Sequence, residues 1–104
     1  MNLRVMLMKL SLVVPCYNEA ENVEAFQEAV IAAFDGCEYD YEIVFVNDGT
    51  KDRSMEILDE LIEEKFDHLK DRILIVDKEN GGLPSARKAG LDVAEGEYVL
   101  FADS

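Results

Sequence analysis

The chain has 104 residues, 49% of them hydrophobic, which is enough for one compact domain, or for part of a larger one, with a modest core. Acids outnumber bases 23 to 10, and the formal net charge of -13 argues against a nucleic-acid backbone or an anionic membrane as the main partner, since both would be repelled. Two cysteines, Cys16 and Cys37, make neither a disulfide framework nor a zinc site and read as reduced thiols of a cytosolic protein.

The chain opens on "MNLRVMLMKLSLVV", apolar with two basic residues. It mimics a signal peptide but lacks a small-residue cleavage site, so residues 1–9 are read as a leader and 10–104 as the domain. No apolar run reaches the roughly 18 residues of a membrane helix.

Four short apolar runs follow: "LSLVV" from Leu10, "EIVFV" from Glu42, "ILIV" from Ile73 and "YVLFA" from Tyr98. They are continuous rather than alternating, which predicts strands buried on both faces of a parallel sheet. Three segments of helical period lie between them. The first carries a stripe of Val23, Phe26, Val30, Ala33 and Phe34, with Asn18 and Glu21 as a capping-box-like pair. The second carries Met55, Leu58, Leu61, Ile62 and Phe66 behind a cap at Thr50 or Asp48, and its acidic outer face is a solvated one. The third has Pro84 in its first turn, Ala86, Ala89, Gly90 and Val93 toward the sheet, and Gly96 as its stop. Strand and helix alternate throughout, so the expected fold is α/β: a doubly wound, mostly parallel, Rossmann-like half of three αβα layers, with four strands and three helices.

In open parallel sheets ligands bind outside the carboxyl ends of the strands. Each run here passes into a polar stretch at that end: "PCYNEAEN", "NDGTKDRS", "DKENGGLPSARKAG" and "DS". Parallel strands would make neighbours of Tyr17, Asn18, Glu19, Asn47, Asp48, Asn80, Arg87 and Asp103. Each has a bland reading as a helix start, turn, loop or surface charge, but four polar loops at one edge are harder to explain singly. The first loop lacks G-x-G-x-x-G, which disfavours a dinucleotide, and no G-x-x-x-x-G-K-[ST] is present. An aromatic ring, carboxylates and one or two bases suit a nucleotide diphosphate with a metal. A chain this acidic needs a cation such as Mg2+ or Mn2+, which take oxygen ligands and bridge phosphates.

"LSLVVPCYNEAENV", "EIVFVNDGTKDRS" and "NGGLPSARKAGLDVAEGEYVLFADS" together resemble the opening of glycosyltransferase family 2, with its GT-A fold, over nearly the whole chain after Met8. The resemblance implies a metal-dependent enzyme of bacterial type that transfers a sugar, with inversion, from a nucleotide-diphosphate sugar to a saccharide or lipid-linked acceptor in polysaccharide or cell-envelope synthesis. It implies that Pro15, Tyr17 and Glu19 line the nucleotide pocket, with Tyr17 near the base. Asp48 would contact base or ribose, Asn80 to Arg87 would pass beneath the donor, and Asp103 would be the first acid of the D-x-D metal motif. The second acid, the catalytic base and most of the acceptor site would lie beyond Ser104, so the chain is expected to hold the donor half without turning over. A cytoplasmic location at the inner membrane face, no nucleic-acid partner, and self-association through an exposed fourth strand complete the expectations. A non-catalytic nucleotide-binding or interaction module is the alternative reading. A receiver-like signalling domain is disfavoured because Pro15-Cys16-Tyr17 supplies no paired acids after the first strand.

Overall fold

The structure, a computed structural model, describes residues 8–18 and 23–102. Glu19, Glu21 and Asp103 lie outside the described residues. In chain order the elements are β1 (Lys9–Cys16), α1 (Val23–Phe34), β2 (Asp40–Asp48), α2 (Ser54–Lys65), a 3-10 helix (Asp67–Arg72), β3 (Ile73–Lys78), α3 (Leu83–Val93) and β4 (Tyr98–Phe101). The sheet order is β3-β2-β1-β4, and every neighbouring pair is parallel. Lys9, assigned to the leader by the sequence reading, is the first residue of β1 and pairs with Asp40. No helix among the described residues is long and apolar enough to cross a membrane.

The period-2 geometry of a strand sends successive side chains to opposite faces. On one face Leu12, Val14, Ile43 and Phe45 pack against Ile31 of α1 and Leu58, Leu61 and Ile62 of α2. On the other, Val13, Val44 and Val46 pack against Ala86 of α3. Helices on both faces explain the unbroken apolar runs of β1 and β2. The expectation of two-sided burial does not extend to β3 and β4. As edge strands they have one neighbour each, and Leu74, Tyr98, Leu100 and Phe101 are all more than two-fifths exposed. The outer side of β4 is the surface on which the expectation of self-association rests.

Three local readings need correction. In α1 Phe26, Val30 and Phe34 of the expected stripe pack against the core, but Ala33 is exposed, and among the described side chains the fully buried ones are Gln27 and Ile31. Neither Thr50 nor Asp48 caps α2; that helix starts at Ser54, whose amide donates to Asp52 Oδ1 at 2.9 Å. Gly96 does not stop α3, which ends at Val93. Its amide donates 2.8 Å to Ser11 Oγ, and a Cβ there would lie 2.5 Å from that oxygen, so its small size lets the approach to β4 pass close over β1.

The contact that sets α3 against the sheet is Gly90. A Cβ on this residue would meet Val13 Cγ1 at 2.3 Å and Val46 Cγ2 at 3.1 Å, on two rigid central strands. Val93, expected on the same face, is exposed instead. We expect Gly90→Ala to lower stability by about 1–3 kcal/mol through overpacking, despite the better helix propensity of alanine; a thermal melt showing no loss would contradict this packing.

Candidate donor-binding edge

Because the strands are parallel, β1, β2 and β3 all end at one edge, with Cys16 opposite Asn47, Asn47 opposite Asp77 and Asp48 opposite Lys78. β4 reaches the same edge by a shorter ladder: the Ala102 amide donates to the Val13 carbonyl at 3.0 Å. Pro15, two residues on in β1, has no N–H to continue that pairing. Its side chain is buried opposite Val46, so it shapes the strand end from within the sheet.

The first two loops are tied together through Thr50. Its hydroxyl donates to the Cys16 carbonyl at 3.4 Å and accepts from the Asn18 amide at 3.3 Å. The Asn18 side chain accepts from the Lys51 amide at 2.8 Å. Asn18 adopts a positive φ of 44°, a conformation that asparagine tolerates better than most residues. The capping-box reading of Asn18 rests on Glu21, outside the described residues; the described bond of this oxygen is to the β2 loop. Beside it the Tyr17 side chain stands 44% exposed at the edge, an aromatic face available to a planar ligand.

Asn47 and Asp48 are adjacent in sequence and serve opposite faces of β2. The Asn47 amide nitrogen donates to Asp77 Oδ1 at 2.9 Å, and its oxygen accepts from the Thr50 amide at 2.9 Å. Asp48, only 4% exposed, points to the α3 face. Oδ1 accepts from Lys78 Nζ at 2.8 Å and from the Gly81 amide at 3.0 Å; Oδ2 accepts from the Gly82 amide at 3.1 Å. Asn80 Nδ2 donates to the Asp48 carbonyl at 2.9 Å. Gly49, at φ 73°, permits this closeness, since a Cβ there would lie 2.6 Å from the Asn80 backbone nitrogen. Gly82 caps α3, so Asp48 sets a carboxylate at the positive end of that helix.

Burial by itself would raise the Asp48 pKa. The Lys78 ammonium and the two glycine amides outweigh it and hold the carboxyl below its ordinary value of 3.8.

Arg87 lies one turn into α3, with its guanidinium carbon 5.8 Å from the centre of the Phe101 ring at the end of β4. Of the residues the sequence nominated, Tyr17, Asn18, Asn47, Asp48 and Asn80 come together on the first three loops, Pro15 lies beneath them, and Arg87 stands on the β4 side. Glu19 and Asp103 are outside the described residues. Sequence reasoning passed over Thr50 as a tie between loops, and Lys78 altogether. The signal for Lys78 was its register opposite Asp48, which no local pattern contains. Among the described residues no group of three or more His, Cys, Asp or Glu side chains could hold a metal.

A depressed folded pKa means that the stabilisation by ionised Asp48 is fully present above the unfolded value of about 3.8 and is lost as pH falls through the lower folded value. We expect Asp48→Asn to cost about 1–3 kcal/mol at neutral pH, with the difference from wild type shrinking below pH 3.8. Urea unfolding at a series of acid pH values measures it; a gap independent of pH would contradict the assignment.

The sequence model of glycosyl transferase family 2 matches residues 11–104. The glycosyltransferase GlyA of Streptococcus pneumoniae serotype 4 is 40% identical over 96 residues, 92% of this chain and 13% of that protein. The undecaprenyl-phosphate 4-deoxy-4-formamido-L-arabinose transferase of Photorhabdus laumondii is 34% identical over 96 residues, 92% of this chain and 29% of its own. The structure of S. aureus TarS residues 1–349 in complex with UDP superposes with a TM-score of 0.71 at 31% identity, covering 93% of this chain and 27% of that one. The mannosyltransferase PcManGT from Pyrobaculum calidifontis gives a TM-score of 0.76 over 93% of this chain and 27% of its own; at 24% identity it bears on the fold alone. The chain thus spans less than a third of the length of each of these relatives. With the family's sequence pattern covering all but the first ten residues, and with a GT-A-like sheet beneath it, the chain belongs to glycosyl transferase family 2.

Proposed function

We propose that this chain forms the donor-binding part of an inverting glycosyltransferase that moves a sugar from a nucleotide-diphosphate sugar to a saccharide or lipid-linked hydroxyl in polysaccharide or cell-envelope assembly, at the cytoplasmic face of the membrane. The observation that carries the reading is the knitting of three carboxyl-end loops into one polar edge with Tyr17 exposed beside it. The UDP bound by TarS and the lipid phosphate named for the Photorhabdus transferase support the classes of donor and acceptor.

In this reading Tyr17 stacks on the base, and Asn18 and Thr50 hold its backbone in place. Asp48 is the acid assigned to base or ribose; in this structure Oδ1 accepts from Lys78 and Gly81, and Oδ2 from Gly82 and, at 3.5 Å, from Asn80 Nδ2. Asn47 and Asn80 brace the loops on either side of it, Pro15 and Glu19 are assigned to the lining of the nucleotide pocket, and Arg87 offers positive charge to the donor. The residues described do not complete a metal site. The metal ligand proposed here is Asp103, as the first acid of a D-x-D motif, and the metal, Mg2+ or Mn2+, supplies charge stabilisation to the leaving diphosphate when bound. The base that takes the proton of the acceptor hydroxyl is assigned to a carboxylate outside these residues.

Calorimetry on the full-length protein with UDP and with GDP, each with Mn2+, tests the reading. We expect saturable binding of one of them, weakened about 3- to 10-fold by Tyr17→Ala, the scale of one aromatic stacking contact. Failure to bind any nucleotide or nucleotide sugar would overturn it.

A further inference from the structure

We propose that Lys78 is a positioning residue of the donor site: its ammonium, paired with Asp48, latches residues 78–82 and the amino end of α3 into the conformation that receives the nucleotide. The proposal rests on the donor-binding reading above and adds to it a residue outside the nominated contacts.

The segment it would hold is fastened by polar links rather than by apolar burial. Residues 79–84 are all exposed, and Leu83, the one large apolar side chain among them, is 43% exposed. Apolar burial therefore does not fix the path between β3 and α3. What fixes it is a set of polar links that converge on one residue of another strand: the Gly81 and Gly82 amides on the Asp48 carboxylate, and the Asn80 side chain on the Asp48 carbonyl. Segments held by few buried contacts open at low free-energy cost, and ligand-binding loops are drawn from that class.

Lys78 adds the one formal charge in this set. Its side chain is 19% exposed and that of Asp48 is 6% exposed, so the pair is largely withdrawn from water. The ammonium bonds Asp48 Oδ1 at 2.8 Å and also donates to the Glu79 carbonyl at 2.6 Å, joining the carboxylate to the segment's first peptide. The pair forms because Lys78 and Asp48 occupy the same rung of the β2–β3 ladder and so project to the same face. Without Lys78 a buried carboxylate keeps its amide donors and loses its counter-charge. Such a group favours protonation or hydration. Either outcome loosens its hold on Gly81 and Gly82, and a segment that is ordered only part of the time binds its ligand more weakly by that fraction.

The test uses the full-length protein and two readouts: amide hydrogen exchange in the free state, and calorimetry with UDP or GDP plus Mn2+. We expect Lys78→Met to speed exchange at Gly81 and Gly82 about tenfold while the amides of β1 and β2 stay protected, and to weaken nucleotide binding about tenfold. Lys78→Arg should recover part of both. If Lys78→Met fails to fold, Lys78→Gln, which keeps an N–H donor without the charge, takes its place with the same expectation. Exchange and affinity both within twofold of wild type would overturn the proposal. So would lost affinity with unchanged exchange, since Lys78 would then be a direct donor contact. A wild-type protein that binds neither nucleotide overturns the donor-binding reading and the donor role of Lys78 with it, while the exchange measurement separately decides whether Lys78 holds the segment.

Discussion

A carboxylate buried at the end of a central strand must be given partners, and the edge of this protein is organised around that requirement. Asp48 is nearly inaccessible, yet it stays ionised because an ammonium and two backbone amides surround it. All of those donors come from the last residue of β3 and the segment that follows it. Satisfying Asp48 therefore places that segment, and placing the segment starts α3 over the sheet. A neutral or apolar residue at this position would remove the reason for the chain to return there.

The same strand serves two directions at once. Alternation along β2 sends Val44, Val46 and Asp48 toward α3, and Ile43 and Phe45 toward α1 and α2. At its carboxyl end this alternation turns polar without a change of period. Asn47 braces Asp77 and the turn at Thr50, while Asp48 holds the glycines that lead into α3. Two adjacent side chains thus tie one strand end to the loops on either side of it. Thr50 and Asn18 extend the ties to the β1 loop. The result is an edge whose loops share a rigid base while Tyr17 and Arg87 keep functional groups near its surface.

The net charge of -13 and an anionic ligand are compatible because the two act over different distances. Five of the 23 acids lie on the exposed face of α2, where salt at physiological strength screens charges beyond about 8 Å. At the edge the balance is local. The buried acid there, Asp48, is neutralised by Lys78, and Arg87 and the amino end of α3 add positive potential. Bulk composition thus limits macromolecular partners such as nucleic acid far more strongly than it limits a small ligand at the strand ends.

The unbroken apolar runs marked all four strands and, alternating with helical segments, their parallel order; that the runs from Leu10 and Glu42 became central and those from Ile73 and Tyr98 edge strands was decided by the sheet order. The helical stripes Leu58-Leu61-Ile62 and Ala86-Gly90 determined which faces those helices bury, and the polar stretches after each run located the edge. The quoted motifs determined the family. What the tertiary structure alone decided is which polar side chains face a ligand and which face each other. Thr50 and Asp48 look like helix caps along the chain but spend their oxygens across strands, and Gly96 looks like a helix stop but is a point of close approach. Lys78 carries no local signal at all, since its partner lies 30 residues away and meets it only through register. Periodicity is written in neighbouring residues and can be read there; a hydrogen bond between strand ends depends on the alignment of two strands, which exists only once the sheet has formed.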